Sequence, residues 1–224
     1  MKRILGMLLA CTMVFTLAGC SNGSTTTSQS GETGSVVIET PSQIEEGGTE
    51  STAQTNEIGE TGSEEGGVLV AYFSWSGNTE TVADLIAQQT GGDLFEIVPA
   101  TPYTDDYDTL LDVARQEQSE DARPALASTV ENWDSYDVVF VGYPNWWSDA
   151  PMAVYTFLES HDFTGKTLIP FNTSSSGGFG RSLSGVTQSA PGAEILEGLA
   201  LTESELDDAS SRVSAWISGV GLSQ

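Results

Sequence analysis

From residue 68 onward, short apolar runs alternate with longer stretches in which apolar residues recur every three or four positions. Segments 68–73, 94–98, 137–143, 167–171 and 194–199 read as strands, and 79–89, 106–118, 152–160, 181–189 and 203–218 as helices. Several strands are apolar at consecutive positions, which suits strands buried on both faces. The pattern therefore predicts an α/β three-layer sandwich, a five-stranded parallel sheet with helices on both sides. Thr202 followed by Glu205 gives the last helix a capping-box start, and Leu206, Ala209, Val213, Trp216 and Ile217 form its core stripe.

The same pattern divides the chain. Residues 1–19 carry a basic start at Lys2 and Arg3, an apolar run and small residues before Cys20, the layout of an export signal. The run is too short for an ordinary spanning helix, which needs about 20 apolar residues. Leu17-Ala18-Gly19-Cys20 resembles the lipobox of bacterial lipoproteins, which implies cleavage before Cys20 and acylation (palmitate or a related chain) on its thiol. The expected address is the outer side of the cytoplasmic membrane, held by the lipid anchor alone. Cys11 leaves with the signal, so no thiol remains for a disulfide, a metal or nucleophilic catalysis.

Residues 20–67 hold nine glutamates, no Lys or Arg, and few apolar residues. Such a segment cannot offset its ordering entropy and reads as a disordered acidic tether, about 40 Å in root-mean-square reach. Residues 68–224 form the one expected folded domain.

Charge narrows the functions. The formal net charge is −25, with 32 carboxylates against 7 Lys and Arg. Nucleic-acid binding rests on basic patches that this chain lacks, so it is excluded as a partner. The lone histidine, His161, reads as a surface helix end, and no metal ligand or catalytic acid–base pair is expected.

In open parallel sheets, ligands sit beyond the carboxyl ends of the strands. The first such loop is Ser74-Trp75-Ser76-Gly77-Asn78-Thr79. Its hydroxyls can donate, Gly77 lets the backbone curl, and the following helix offers free N–H groups, the physics of a phosphate cradle. An N-capped turn accounts for the loop equally well. The absence of Gly-Lys-Ser/Thr and of G-x-G-x-x-G argues against a triphosphatase and a dinucleotide fingerprint.

After the third strand stands Gly142-Tyr143-Pro144-Asn145-Trp146-Trp147, and after the fourth Gly178-Phe179-Gly180-Arg181-Ser182. Together with the first loop, these motifs resemble the flavodoxins, over all of residues 68–222. The resemblance implies strand order 2-1-3-4-5 and non-covalent binding of flavin mononucleotide (FMN). It implies that Ser74, Ser76, Gly77, Asn78 and Thr79, with Trp75 between them, hold the phosphate. Pro144, Asn145, Trp146 and Trp147 would flank one side of the flavin ring, and Thr173, Ser174, Ser175, Ser176, Gly177 and Gly178 the other. Arg181 serves equally well as a helix start or a ligand contact.

The function expected is extracytoplasmic electron transfer, with a redox partner protein or a small-molecule electron acceptor. The acidic field would lower the potential for the last electron. A reductase taking hydride from NAD(P)H to reduce a quinone-type substrate stays open, as does a surface ligand-binding module without flavin.

Overall fold

The apolar runs are buried on both sides because successive side chains enter different layers. The computed structural model describes residues 66–222; the expected signal segment, Cys20 and almost all of the acidic tether lie outside the described residues. Among the described residues the strands are β1 (Gly67–Tyr72), β2 (Asp93–Glu96), β3 (Tyr136–Pro144), β4 (Thr167–Ser174), β5 (Glu194–Ile195) and β6 (Leu199–Thr202). The helices are α1 (Asn78–Thr90), α2 (Tyr107–Glu120), α3 (Met152–Glu159), α4 (Ser182–Ser189) and α5 (Ala209–Gly219). All strand pairs are parallel, in the order β2-β1-β3-β4-β5, with β6 also beside β4.

Leu69, Ala71, Val139, Val141 and Tyr143 point into one layer with Ala153, Val154, Phe157 and Leu158 of α3. Val70, Phe140, Ile169 and Phe171 point into the other with Val82 and Ile86 of α1 and Val213 and Ile217 of α5. Each fully buried side chain of this size contributes about 1.5–3 kcal/mol, so both layers hold the sheet. Gly142 leaves room for the ring of its cross-strand neighbour Phe171: a Cβ there would fall 2.0 Å from Phe171 Cζ.

The expected fifth strand is in two pieces. Between the pairs Thr167↔Glu194 and Phe171↔Leu199, β4 advances four residues and its neighbour five, so residues 196–198 form a bulge. The cause lies in β4, where Pro170 has no N–H to give. The chain crosses it at Gly198, where a Cβ would lie 2.6 Å from the Pro170 carbonyl oxygen.

The last helix also starts differently from its expected span. Residues Glu203–Asp208 form a 3-10 helix before α5, as Asp207 and Asp208 are poor helix-interior residues. The Glu205 carboxylate accepts from the Thr202 N–H and hydroxyl, both at 2.9 Å.

The long connection from β2 to β3 is closed at its base. Ala100 N–H donates to Ala125 O and Ala127 N–H to Val98 O, both at 2.8 Å. Between these bonds the connection, including α2, packs against the loops after β1 and β3, where Trp75 Nε1–H donates to Thr104 O, Trp147 Nε1–H to Leu111 O and Gln118 Nε2 to Trp146 O. Asp106 caps α2, its Oδ1 accepting from Thr109 N–H at 2.9 Å.

Candidate functional site

Because β1, β3 and β4 are parallel neighbours, the three loops that follow them lie along one edge. In the first, Ser74 Oγ accepts from the N–H groups of Gly77 and Glu80, at 3.2 and 3.3 Å. Its lone pairs being engaged, its own hydrogen is left to donate. Gly77 has φ +86° and open space where a Cβ would stand. The N–H groups of Ser76, Asn78 and Thr79 make no hydrogen bond among the described residues, and at a helix start such groups attract an anion. Thr79 Oγ1 lies 2.8 Å from Thr173 Oγ1, tying the first loop to the third. Trp75 turns away from the cradle, its Nε1–H donating to Thr104 O at 3.0 Å and its ring 6.1 Å from Tyr107.

Local charge works against an anion here. The Tyr72 hydroxyl, at the end of β1, is pushed up to about 12 by burial and by Glu96, Glu80 and Asp84. Attraction must therefore come from the hydroxyls and N–H dipoles of the turn itself.

In the second loop, Asn145 N–H donates to Thr173 O at 2.9 Å, and its Nδ2 donates to Gly178 O at 3.0 Å. Trp146 and Asp149 then exchange backbone hydrogen bonds of 2.8 and 3.0 Å across a tight turn. Its central residues, Trp147 and Ser148, have φ +52° and +62°, a conformation usually left to Asn and Gly. Trp146 packs edge-on against Phe73 and Tyr103, with centroids 5.3 and 5.2 Å away. Trp147 is 41 % exposed, its Nε1–H held by Leu111 O at 3.0 Å.

Asp149 anchors this turn from below. Its Oδ2 accepts from Arg181 Nε at 2.6 Å, and its Oδ1 accepts from the Tyr155 hydroxyl and from Ala150 N–H. Arg181 N–H also donates to Ser148 O at 2.8 Å. Arg181 is thus a brace between the second and third loops. Burial and Asp149 hold the Tyr155 hydroxyl well above the ordinary tyrosine range, so it stays a donor.

In the third loop, Ser174 Oγ accepts from Gly177 N–H at 2.7 Å. Gly177 and Gly178 are both left-handed, at φ +83° and +79°. Ser175 and Ser176 are exposed. Just before them, the buried Asn172 gives its Nδ2 to Tyr143 O at 3.1 Å, while its Oδ1 has no partner among the described residues.

The sequence-expected residues therefore meet on one edge through Thr79, Asn145, Thr173 and Gly178. Asp149, Tyr155, Arg115 and Gln118, which were not expected, support the second loop. Gln118 Nε2 donates to Trp146 O at 2.7 Å, and the Arg115 guanidinium lies 3.9 Å from the Trp147 ring centroid. Arg181 within the third motif and Asp149 beside the second were the readable signals for this brace.

A parallel sheet whose strand order reverses between β1 and β3, with a hydroxyl- and N–H-lined turn there, defines a doubly wound α/β domain with an anion-accepting cradle at its switch point. The model of the family described as Flavodoxin matches residues 67–220. The chain belongs to the flavodoxin family.

Among solved structures, a protein from Bacteroides eggerthii DSM 20697 assigned as a flavoprotein is 36% identical, with a TM-score of 0.61 over 69% of this chain and 98% of that one. A similarly assigned protein from Bacteroides uniformis ATCC 8492 is 35% identical, with a TM-score of 0.60 over 66% of this chain and 98% of that one. A flavoprotein from Lactobacillus acidophilus NCFM, solved in complex with FMN, shares the fold at 22% identity and TM-score 0.52, over 65% of this chain and 99% of that one. No curated protein matches the chain.

Proposed function

We propose that the domain binds FMN non-covalently and takes part in electron transfer outside the cytoplasmic membrane, tethered through Cys20. The observation that carries this is the first turn, with its unpartnered N–H groups at Ser76, Asn78 and Thr79 around the left-handed Gly77. These groups suit a phosphate ester without a lysine. Membership of the flavodoxin family, and the FMN held by the Lactobacillus relative, favour FMN as the ester.

Bound FMN supplies one- and two-electron redox chemistry. The chain's part is to hold and orient it. Ser74, Ser76, Gly77, Asn78 and Thr79 hold the phosphate. The turn of Pro144, Asn145, Trp146 and Trp147 and the loop from Thr173 to Gly178 flank the ring, the second by way of its backbone groups. Asn145 fixes the distance between those two walls through Gly178 O. The electron acceptor is a redox partner protein or a small molecule.

The test uses the full chain, extracted from membranes in mild detergent. It is expected to show the visible absorption of an oxidised flavin and to release FMN, one per chain, on acid treatment. Metabolic labelling with a fatty acid is expected to mark the protein and to be lost in Cys20→Ser. A colourless chain that takes up no added FMN would end the flavin reading, and an unlabelled wild type the anchor.

A further inference from the structure

A cavity of about 410 Å³ lies within the long connection between β2 and β3, inside the range of about 300–1,000 Å³ usual for ligand pockets. One stripe of α2 lines it, Thr109, Val113 and Glu117, each four residues from the next. Another part of the same helix, Leu111 O and Gln118, holds the loop after β3. Residues 100–104, Pro124 and Ala125 complete the lining. None of these residues belongs to the three loops assigned above to FMN.

The cavity is firmly framed. Ala100 N–H donates to Ala125 O at 2.8 Å, joining two of its lining residues. The rings of Pro102 and Pro124 fix the backbone at two further points. The Tyr103 hydroxyl donates to Glu117 Oε2 at 2.6 Å and so ties the segment before α2 to the helix itself. Pro102, Val113, Pro124 and Ala125 offer apolar surface that gains by being covered.

In this lining Glu117 is a carboxylate without a counter-ion. Its Oε2 is taken by Tyr103, and its Oε1 has no partner among the described residues. The described cations are engaged elsewhere: Arg123, Arg181 and Arg212 with other carboxylates, Lys166 on the carbonyl oxygens of Trp133 and Tyr136, and Arg115 on the Trp147 ring. Burial raises the Glu117 carboxyl, with a smaller push from Glu120, against the lowering effect of the Tyr103 hydrogen bond. Glu117 also stands in the last turn of α2, the negative end of the helix dipole. A part-buried carboxylate is costly to leave without an opposite charge. A metal ion needs several oxygen ligands, and no group of three His, Cys, Asp or Glu side chains that could hold one occurs among the described residues. An ammonium group needs only one carboxylate, and its organic body can cover the apolar wall.

We infer that this cavity binds a small organic ammonium ion, a primary amine on a compact apolar body, with its charge on Glu117 and its body against Pro102, Val113 and Pro124. This binding does not depend on the flavin reading proposed above.

The test titrates the full chain, extracted in mild detergent, by calorimetry, with protein-free micelles as the blank. The probes are phenethylamine and its neutral analogue phenethyl alcohol. Phenethylamine is expected to bind saturably, one per chain, and about tenfold more tightly than the alcohol. Glu117→Gln keeps the side-chain volume and an acceptor for the Tyr103 hydroxyl, so it separates charge from packing. It is expected to weaken phenethylamine about tenfold and to leave the alcohol within about twofold. Val113→Phe, which fills the cavity, is expected to abolish both; should that variant fail to fold, Glu117→Gln and the two probes decide the matter alone. Phenethylamine that binds no more tightly than the alcohol, or that ignores Glu117→Gln, overturns the inference. So does binding of many amines per chain that persists in Glu117→Gln, the mark of loose attraction to the acidic surface.

Discussion

Thr79 Oγ1 and Thr173 Oγ1, each almost sealed from solvent, share one hydrogen bond of 2.8 Å that joins the start of α1 to the end of β4. Thr79→Val keeps the shape but leaves the Thr173 hydroxyl buried and unpaired, at a cost of about 1–3 kcal/mol. FMN affinity is expected to fall about tenfold, because the two loops lose their common register. Adding Thr173→Val replaces the pair by apolar groups and is expected to restore part of the stability but none of the affinity. Urea unfolding and FMN titration measure the two effects. Equal stability in the single and double variants would remove the pair as the organiser of the loops.

Gly77 and Gly142 fail for different reasons when a methyl group is added. At Gly142 the new Cβ meets Phe171 at 2.0 Å, and Gly142→Ala is expected to leave little folded protein. At Gly77 no atom lies within 4 Å, so the cost of Gly77→Ala is that of the left-handed backbone alone, about 1–2 kcal/mol. The strained turn is, however, the one that presents the free N–H groups of Ser76, Asn78 and Thr79. Gly77→Ala is therefore expected to remain folded by circular dichroism yet to lose FMN by more than about tenfold.

The strands and the first loop were legible because each is written in adjacent residues, apolar runs, then hydroxyls and a glycine; the strand order came only from the resemblance to the flavodoxins. Polar residues that the fold buries were less so. Asn172 and Thr173 end the apolar run at Phe171, yet both are buried, and β4 continues through them to Ser174. The divided fifth strand follows from Pro170, whose missing N–H matters only once its neighbour is known. The brace of Asp149 on Arg181 spans 32 residues and has no local periodicity to betray it.

His161 is a case of the same kind. Glu159 and Asp162 around it suggest a surface turn, but Trp133, far earlier in the chain, covers its ring at 4.3 Å and Phe157 at 4.7 Å. Burial lowers its pKa below 6.5, against a smaller opposing effect of its hydrogen bond with Phe157 O. Below about pH 6.5 the unfolded chain binds a proton here that the folded chain refuses. The stability given by neutral His161 is thus complete above that pH and declines as the pH falls toward the depressed folded value. His161→Phe is expected to flatten this part of the urea-derived stability profile. An NMR titration placing His161 at or above 6.5 would contradict the packing argument.

Asp149 and Arg181 form one ion pair whose two ends matter unequally. The Arg181 side chain is 64% exposed, so its pairing contributes at most about 1 kcal/mol, and Arg181→Ala is expected to be mild. Asp149 is 14% exposed and also accepts from the buried Tyr155 hydroxyl, which no other group satisfies. Asp149→Ala strands that hydroxyl, at about 1–3 kcal/mol. It also releases a turn whose two left-handed residues, Trp147 and Ser148, favour a different backbone once the anchor is gone. The Asp149 variant is therefore expected to shift tryptophan emission to the red and to weaken FMN, while Arg181→Ala does neither to a comparable degree. Equal losses in both variants would mean that the turn is held by Arg181, through its N–H on Ser148 O and its side chain, and not by the carboxylate.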